Sequence, residues 1–416
     1  MTVIDHRSPT RAATPWRTPG HSLPGELYTS PEAYERDLAA VFGRTWVFVG
    51  SEAEVPEPGD YLTVDIDRRS VVVVRDDDEV VRAFHNVCRH RGSRLLDDCS
   101  GSLGNIVCPY HQWTYDTSGA LLYAESSGPG FDRSTLSLRP VHLRSVGGLL
   151  FICLADSPPA DIDHFESVVT PYLTPHGIPT LKVATQVDIV EEGNWKLVME
   201  NNRECVHCGG HPDLSGALFP VYGYAPEDVS PRLRPAYDRY QRAHADLVAS
   251  CEPLDLRWEA HEDLVRPMGF RIEREPLDGA GESFTVDGSL ACRRPILHPT
   301  QTRLGRLSMH VQPNAWFHAV GDHVVTFVVL PLGPDRTLVR TTWLVRADAE
   351  EGADYDLATL TDVWRHTNDE DRTFVARAHR GVADPAYVPG PYLPPEYQVD
   401  AFCTWYVDRL DEHARR

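Results

Sequence analysis

The chain has 416 residues, is 42% hydrophobic and 24% charged, and carries a formal net charge of −21. Its length allows two domains or one large one with an ample core, in a composition typical of folded globular proteins. The acidity argues against a nucleic-acid partner, because phosphate contacts need lysine and arginine. No apolar run approaches the ~18 residues of a membrane span.

The first 25 residues are polar and proline-rich, not basic and then apolar, so they read as a flexible tail without a secretory signal. Residues 30–47 predict a lead-in helix, capped by Ser30 with Pro31 at its first position. Short β-rich runs at 61–66, 70–75, 80–84, 105–108 and 149–153, broken by Gly or Asp, suit a small antiparallel β domain. Pro158-Pro159 marks a boundary, so domains are expected at 26–157 and 158–416, behind the tail at 1–25.

Two pieces of that β domain carry chemistry. Cys88-Arg89-His90-Arg91-Gly92 and Cys108-Pro109-Tyr110-His111-Gln112-Trp113 read C-x-H, seventeen intervening residues, then C-x-x-H. Two thiolates suit one iron of a two-iron cluster. Two imidazoles on the other iron raise the reduction potential above that of an all-cysteine cluster. A structural Cys2His2 zinc site is the rival, but zinc pairs usually group like with like, whereas each loop here offers one of each.

About ninety residues past the cluster loops comes Asn194-Trp195-Lys196, then Glu200-Asn201-Asn202-Arg203-Glu204-Cys205-Val206-His207-Cys208-Gly209-Gly210-His211-Pro212. If this is helical, Glu204, His207 and His211 fall at i, i+3 and i+7 on one face. Two imidazoles and a carboxylate leave coordination positions open, the facial arrangement of non-haem Fe(II) that activates O2. The plainer reading is a pair of ordinary histidines near a helix end, where Gly209, Gly210 and Pro212 would stop the helix. Cys205 and Cys208 read as packing residues, because the neighbouring histidines are the better ligands. Nine cysteines, odd in number and irregularly spaced, favour a reducing, cytoplasmic setting. Cys99, Cys153, Cys251, Cys292 and Cys403 read as small, buried or inert.

Further on, residues 222–276 are polar, helical or irregular. Strand-like runs at 307–318, 323–330 and 337–346 predict a sheet floor. Leu357, Leu360, Val363, Trp364, Phe374 and Val375 give a helical period over 354–378, for a long helix packed across that floor. The fold class is α+β: a small antiparallel β domain plus a helix-grip domain, an antiparallel sheet gripped by long helices.

The order C-x-H, C-x-x-H, Asn-Trp-Lys, then an acid separated from His by two residues and a second His, resembles the α subunit of Rieske non-haem iron oxygenases. The resemblance runs from about Leu23-Pro24-Gly25-Glu26-Leu27-Tyr28 to the last helix. It implies Cys88, His90, Cys108 and His111 as ligands of a Rieske [2Fe-2S] cluster, and His207 and His211 as ligands of a mononuclear Fe(II). The third ligand is implied within Trp364-Arg365-His366-Thr367-Asn368-Asp369-Glu370-Asp371, where the family reads Thr-Asn-x-Gln-Asp and the last Asp binds. Asp371 is therefore assigned, with Asp369 and then Asp362 as alternatives. Asp369 and Asp371 lie about 200° apart on a helix, so only one can face the iron. The remaining acids, including Glu370 in place of the family's Gln, default to a solvated face. Glu204 stands where the family has the carboxylate that links a cluster histidine of one subunit to an iron histidine of its neighbour. Asn201 joins it as a catalytic candidate.

Most members have Asp at that position. Glu is a feature of the branch acting on quaternary ammonium compounds, such as glycine betaine, proline betaine and carnitine. Ser283-Phe284-Thr285-Val286-Asp287-Gly288, Gln312-Pro313-Asn314-Ala315-Trp316-Phe317-His318 and Gly321-Asp322-His323 resemble that branch, which usually has Tyr where this chain has Val206. The implied reaction is O2-dependent hydroxylation of an N-methyl group, releasing formaldehyde. Electrons would come from NAD(P)H through a separate flavin/iron–sulfur reductase. A trimethylammonium group has no hydrogen-bond donor, so aromatic faces must hold it, at about 2 kcal/mol or more per contact when desolvated. Trp316 and Phe317 are the candidates, of which strand alternation lets one face inward. The inter-subunit path implies a head-to-tail ring, most simply a homotrimer. Two other readings stay open: an oxygenase acting on an aromatic or other C–H substrate, and an electron carrier with a degenerate iron site.

Overall fold

The computed structural model describes residues 16–415 apart from 126, 127 and 129. Its first half is built on strands β1 (Val47–Ser51), β2 (Asp60–Ile66), β3 (Arg69–Arg75), β4 (Val81–His85) and β5 (Ser100–Ser102). The short strands β6 (Ile106–Val107), β7 (Thr114–Tyr115) and β8 (Leu121–Tyr123) follow, then β9 (Pro140–Val146) and β10 (Leu149–Cys153). Seven of these pair in the order β1-β10-β9-β4-β3-β2-β5, and β6-β7-β8 form a separate small sheet. The expected runs at 61–66, 70–75, 80–84 and 149–153 all fall on strands.

The second half carries a seven-stranded antiparallel sheet in the order β11-β17-β16-β15-β14-β13-β12. Its strands are β11 (Leu181–Glu191), β12 (His261–Asp263), β13 (Phe270–Glu275), β14 (Arg306–Val311), β15 (Ala315–Ala319), β16 (Val324–Gly333) and β17 (Arg336–Arg346). The run expected at 307–318 is two strands, with Gln312-Pro313 at the reversal in a cis peptide bond. Strand β13 was not foreseen, because Phe-Arg-Ile-Glu-Arg-Glu looks like surface; all six residues are buried. The charged half of that alternation faces other buried charges, not water.

Among the described residues there are also seven α-helices: α1 (Glu26–Thr29), α2 (Pro31–Asp37), α3 (Ile162–Leu173), α4 (Trp195–Asn201), α5 (Arg234–Cys251), α6 (Leu357–Val382) and α7 (Tyr397–Ala414). The Ser30 hydroxyl accepts from Ala33 N at 3.0 Å, the expected cap. The lead-in helix ends well before residue 47, running on only through a π-helical turn at Leu38–Phe42. Helix α6 spans the predicted period and extends four residues beyond it. No helix among the described residues is long and apolar enough to cross a membrane.

Part of the expected tail is anchored. Residues 1–15 lie outside the described residues, but Trp16 Nε1 donates to Asp411 at 2.7 Å and Arg17 pairs with Asp400, both on α7. The lead-in segment is likewise tied to the second half. Asp37, fully buried, accepts from Trp195 Nε1 at 2.9 Å and Tyr406 OH at 2.7 Å, and pairs with Lys196. The two halves also meet across the back of the large sheet, where Asn314 exchanges hydrogen bonds of 3.0 and 2.9 Å with the Phe48 backbone. One hydrophobic core runs through both.

Candidate metal centres and cavity

The two cluster loops are near copies of each other. Cys88 N donates to Ser93 O and Cys108 N to Trp113 O, both at 2.8 Å, closing each loop at its base. Each loop turns through a left-handed residue four places after its cysteine, Gly92 at φ 75° and Gln112 at φ 58°. Cys88 and Cys108 are 3% and 1% exposed. The His90 and His111 rings lie at the protein surface, 4.5 Å apart between centroids. Trp113 stacks on His90 at 4.8 Å, and Tyr115 OH lies 3.4 Å from Cys88 Sγ. Two inner thiols and two outer imidazoles are the donor set an asymmetric [2Fe-2S] cluster requires.

The second site departs locally from its expected form. Helix α4 stops at Asn201, so Glu204, His207 and His211 sit on an irregular segment with one 3-10 turn at Cys208–Gly210. Gly209, Gly210 and Pro212 fail to sustain a helix, and the histidines converge through the loop. Cys205 and Cys208 are joined as a disulfide, where free packing thiols were expected. Cys99 is exposed, whereas the other four cysteines read as inert are buried.

Asp371 reaches this loop from α6. The stripe Trp364, Thr367, Asp371 runs down the helix face that lines the cavity, at i, i+3 and i+7. His207 Nε2 lies 3.4 Å and His211 Nε2 3.2 Å from Asp371 Oδ1. One donor atom from each of the three residues falls within 4.8 Å of the other two, close enough to share one ion. Asp369 is turned away and pairs with Arg372 at 3.1 Å.

The outward nitrogens are equally committed. His207 Nδ1 donates to Glu204 Oε1 and His211 Nδ1 to Glu370 Oε2, each at 2.5 Å. A carboxylate behind each imidazole fixes its tautomer and aims Nε2 inward, as metal-binding histidines are commonly held. Glu370 is thus no solvated acid but the support of His211. His211 Nε2 and Asp371 Oδ1 are buried and face each other at 3.2 Å, without a well-formed hydrogen bond among the described residues. Such a pair fits a cation between them. Burial opposes ionisation of Asp371, but His207, His211 and Asn201 outweigh it and hold the carboxyl down at about 2. Burial likewise opposes the charged form of His207, yet Asp371 and Glu204 raise it to about 10. The carboxylates around the two imidazoles thus favour positive charge at this place.

Beside these three residues opens a cavity lined by Tyr222, Arg306, His310, His318 and Trp364, among others. Neither predicted aromatic lines it. Phe317 faces Phe48 and Phe151 across the back of the sheet, and Trp316 stacks on Phe327 at 4.8 Å. His318, two residues along from Trp316, takes the inward place and stacks on Trp364 at 4.8 Å. Burial holds the imidazoles of His318 and His310 well below their ordinary pKa, so both are neutral. Trp364 could have been found from the sequence, seven residues before Asp371 on one helix face. Tyr222 and Arg306 carry no such signal.

Residues 45–138 match the Rieske [2Fe-2S] domain, and residues 178–412 match the catalytic domain of the ring hydroxylating alpha subunit. The chain belongs to the Rieske-type ring-hydroxylating oxygenase α subunits, oxidoreductases that join these two domains. It is 43% identical over 405 residues to the glycine betaine monooxygenase oxygenase subunit of Chromohalobacter salexigens, covering 95% of this chain and 88% of that one. To the corresponding subunit of Pseudomonas aeruginosa it is 40% identical, covering 99% and 95%. Among solved structures, the quaternary ammonium Rieske monooxygenase CntA superposes with a TM-score of 0.71 at 20% identity, over 94% of this chain and 96% of that one. Naphthalene 1,2-dioxygenase gives 0.64 at 19%, over 98% and 95%.

Proposed function

We propose that this chain is the oxygenase subunit of a quaternary-ammonium monooxygenase that removes an N-methyl group from glycine betaine or a close analogue. The observation that carries the reading is the convergence of His207, His211 and Asp371 beside a cavity walled by Trp364 and Tyr222. The likeness to glycine betaine subunits over nearly the whole chain supports the substrate class. An iron held by the three ligands would supply O2 activation, and a [2Fe-2S] cluster on Cys88, Cys108, His90 and His111 would supply electrons singly.

The chain's own groups have defined tasks. The aromatic face of Trp364 and the negative charge of Asp371 attract a trimethylammonium group and draw a methyl toward the ligands. Glu204 and Glu370 hold the imidazoles in place. Hydroxylation of that methyl gives a hemiaminal, which collapses to formaldehyde and the demethylated amine. Glu204 also serves as the bridge to a cluster histidine of an adjacent copy, in a head-to-tail homotrimer. Electrons arrive from NAD(P)H through a separate flavin reductase, in the cytoplasm.

The test is a single turnover of chemically reduced, iron-replete protein with O2. Glycine betaine, proline betaine, carnitine and choline are offered in turn, and formaldehyde is quantified. Stoichiometric formaldehyde from glycine betaine is expected. Cluster reoxidation without formaldehyde from any of them would refute the assignment.

A further inference from the structure

A betaine carries a carboxylate as well as a cation, and the cavity's aromatic and acidic lining accounts only for the cation. The cavity floor is the face of the large sheet on which Arg271, Glu273 and Glu275 of β13 lie beside Arg306, Ser308 and His310 of β14, paired residue for residue. The two arginines differ in what they have left to offer. Arg271 pairs with both Glu273 and Glu262, donates to Tyr222 OH at 3.4 Å, and does not line the cavity. Arg306 does line it, and among the described residues it is the one arginine or lysine that does.

We propose that Arg306 is the specificity-determining residue that receives the substrate carboxylate. Its Nη2 donates to Glu275 Oε2 at 2.6 Å, which fixes one edge of the guanidinium. Tyr222 supports its flat face, 4.9 Å from the ring centroid. Nε is buried with no partner among the described residues, although the side chain is only 7% exposed. A guanidinium has five donors in a planar fork suited to a carboxylate, and a buried donor left unpaired is costly. Glu275 and Tyr222 thus preorganise a cation whose remaining donors await an anion. Strand β14 is paired on both sides, so the distance from Arg306 to the three candidate iron ligands would select the spacing between the ammonium and carboxylate ends of the substrate.

This inference rests on the quaternary-amine reading, and one experiment separates the two. Calorimetric binding to the holoprotein is measured for glycine betaine and for its carboxamide, which keeps the trimethylammonium group and the shape but loses the negative charge. The native protein is expected to prefer the betaine by about tenfold or more. Arg306→Met should erase that preference, and Arg306→Lys should retain part of it. An Arg306→Met variant that still prefers the betaine overturns the role of Arg306 and leaves the function standing. Equal binding of both ligands by the native protein also overturns it, without recourse to any variant. Native protein that binds neither refutes the quaternary-amine reading, and the proposal with it. The visible spectrum of the cluster reports whether each variant has folded.

Discussion

Replacing Glu370 should weaken metal binding at His211 even though Glu370 touches no metal position. The His211 side chain is 1% exposed, and its Nδ1 has Glu370 as its hydrogen-bond partner, at 2.5 Å. Glu370→Ala removes both the acceptor and its charge, freeing the ring to rotate and lowering the basicity of Nε2. Loss of such a support commonly costs 10- to 100-fold in metal affinity, or about 1.4 to 2.7 kcal/mol. The Glu370 side chain is itself 36% exposed, so water can take the vacated place. The loss should therefore fall near the tenfold end. Glu370→Gln keeps an acceptor through its amide oxygen and should lose less than the alanine variant. The assay is anaerobic competition for Fe(II) against a coloured chelator, with the visible absorption of the cluster as the control for folding. If the alanine variant holds Fe(II) within twofold of native, the carboxylate is merely an exposed acid and the reasoning fails.

Three other outcomes are expected. Glu204→Gln preserves a hydrogen bond to His207, so iron and cluster contents should stay native while transfer from cluster to iron slows; stopped-flow reoxidation at the native rate would rule out the bridging role. Burial raises the Glu200 carboxyl from 4.5 to about 7, against donors from Tyr28 and Tyr392. The folded chain therefore holds a proton there between those values that the unfolded chain releases, and stability falls as pH rises through that window, by roughly 3 kcal/mol at most. Glu200→Gln should flatten that stretch of the thermal-unfolding profile, and an unchanged slope would contradict the assignment. Lys196→Met strips the buried Asp37 of its ion pair, at a cost of about 3 to 5 kcal/mol. Adding Asp37→Asn should restore part of the lost melting temperature; no recovery would mean that packing, not charge, held the site.

Where local pattern and tertiary demand agree, the chain was legible. The β-rich runs flanking the cluster loops are short and break at Gly or Asp, and they fold as strands. The period that begins at Leu357 and Leu360 announced the helix, and the family resemblance, not the period, singled out Asp371 on it. Loops were harder. The spacing of Glu204, His207 and His211 suggested a helix, yet the same three residues meet through an irregular turn, because convergence on a metal needs only that the side chains arrive.

The chain's sequence by itself supplied the candidate donors: two cysteines and two histidines in matched loops, then two histidines, with the distant aspartate marked by the family resemblance. Those identities are chemical requirements and cannot be supplied by packing. Tertiary structure alone decided which neighbours serve them. It turned Glu370 back toward His211, set His318 rather than Trp316 over the cavity, and left Arg306 a buried cation with donors to spare. Each of these depends on contacts between segments tens to hundreds of residues apart, and strand register and helix packing fix such contacts only once the whole chain has folded.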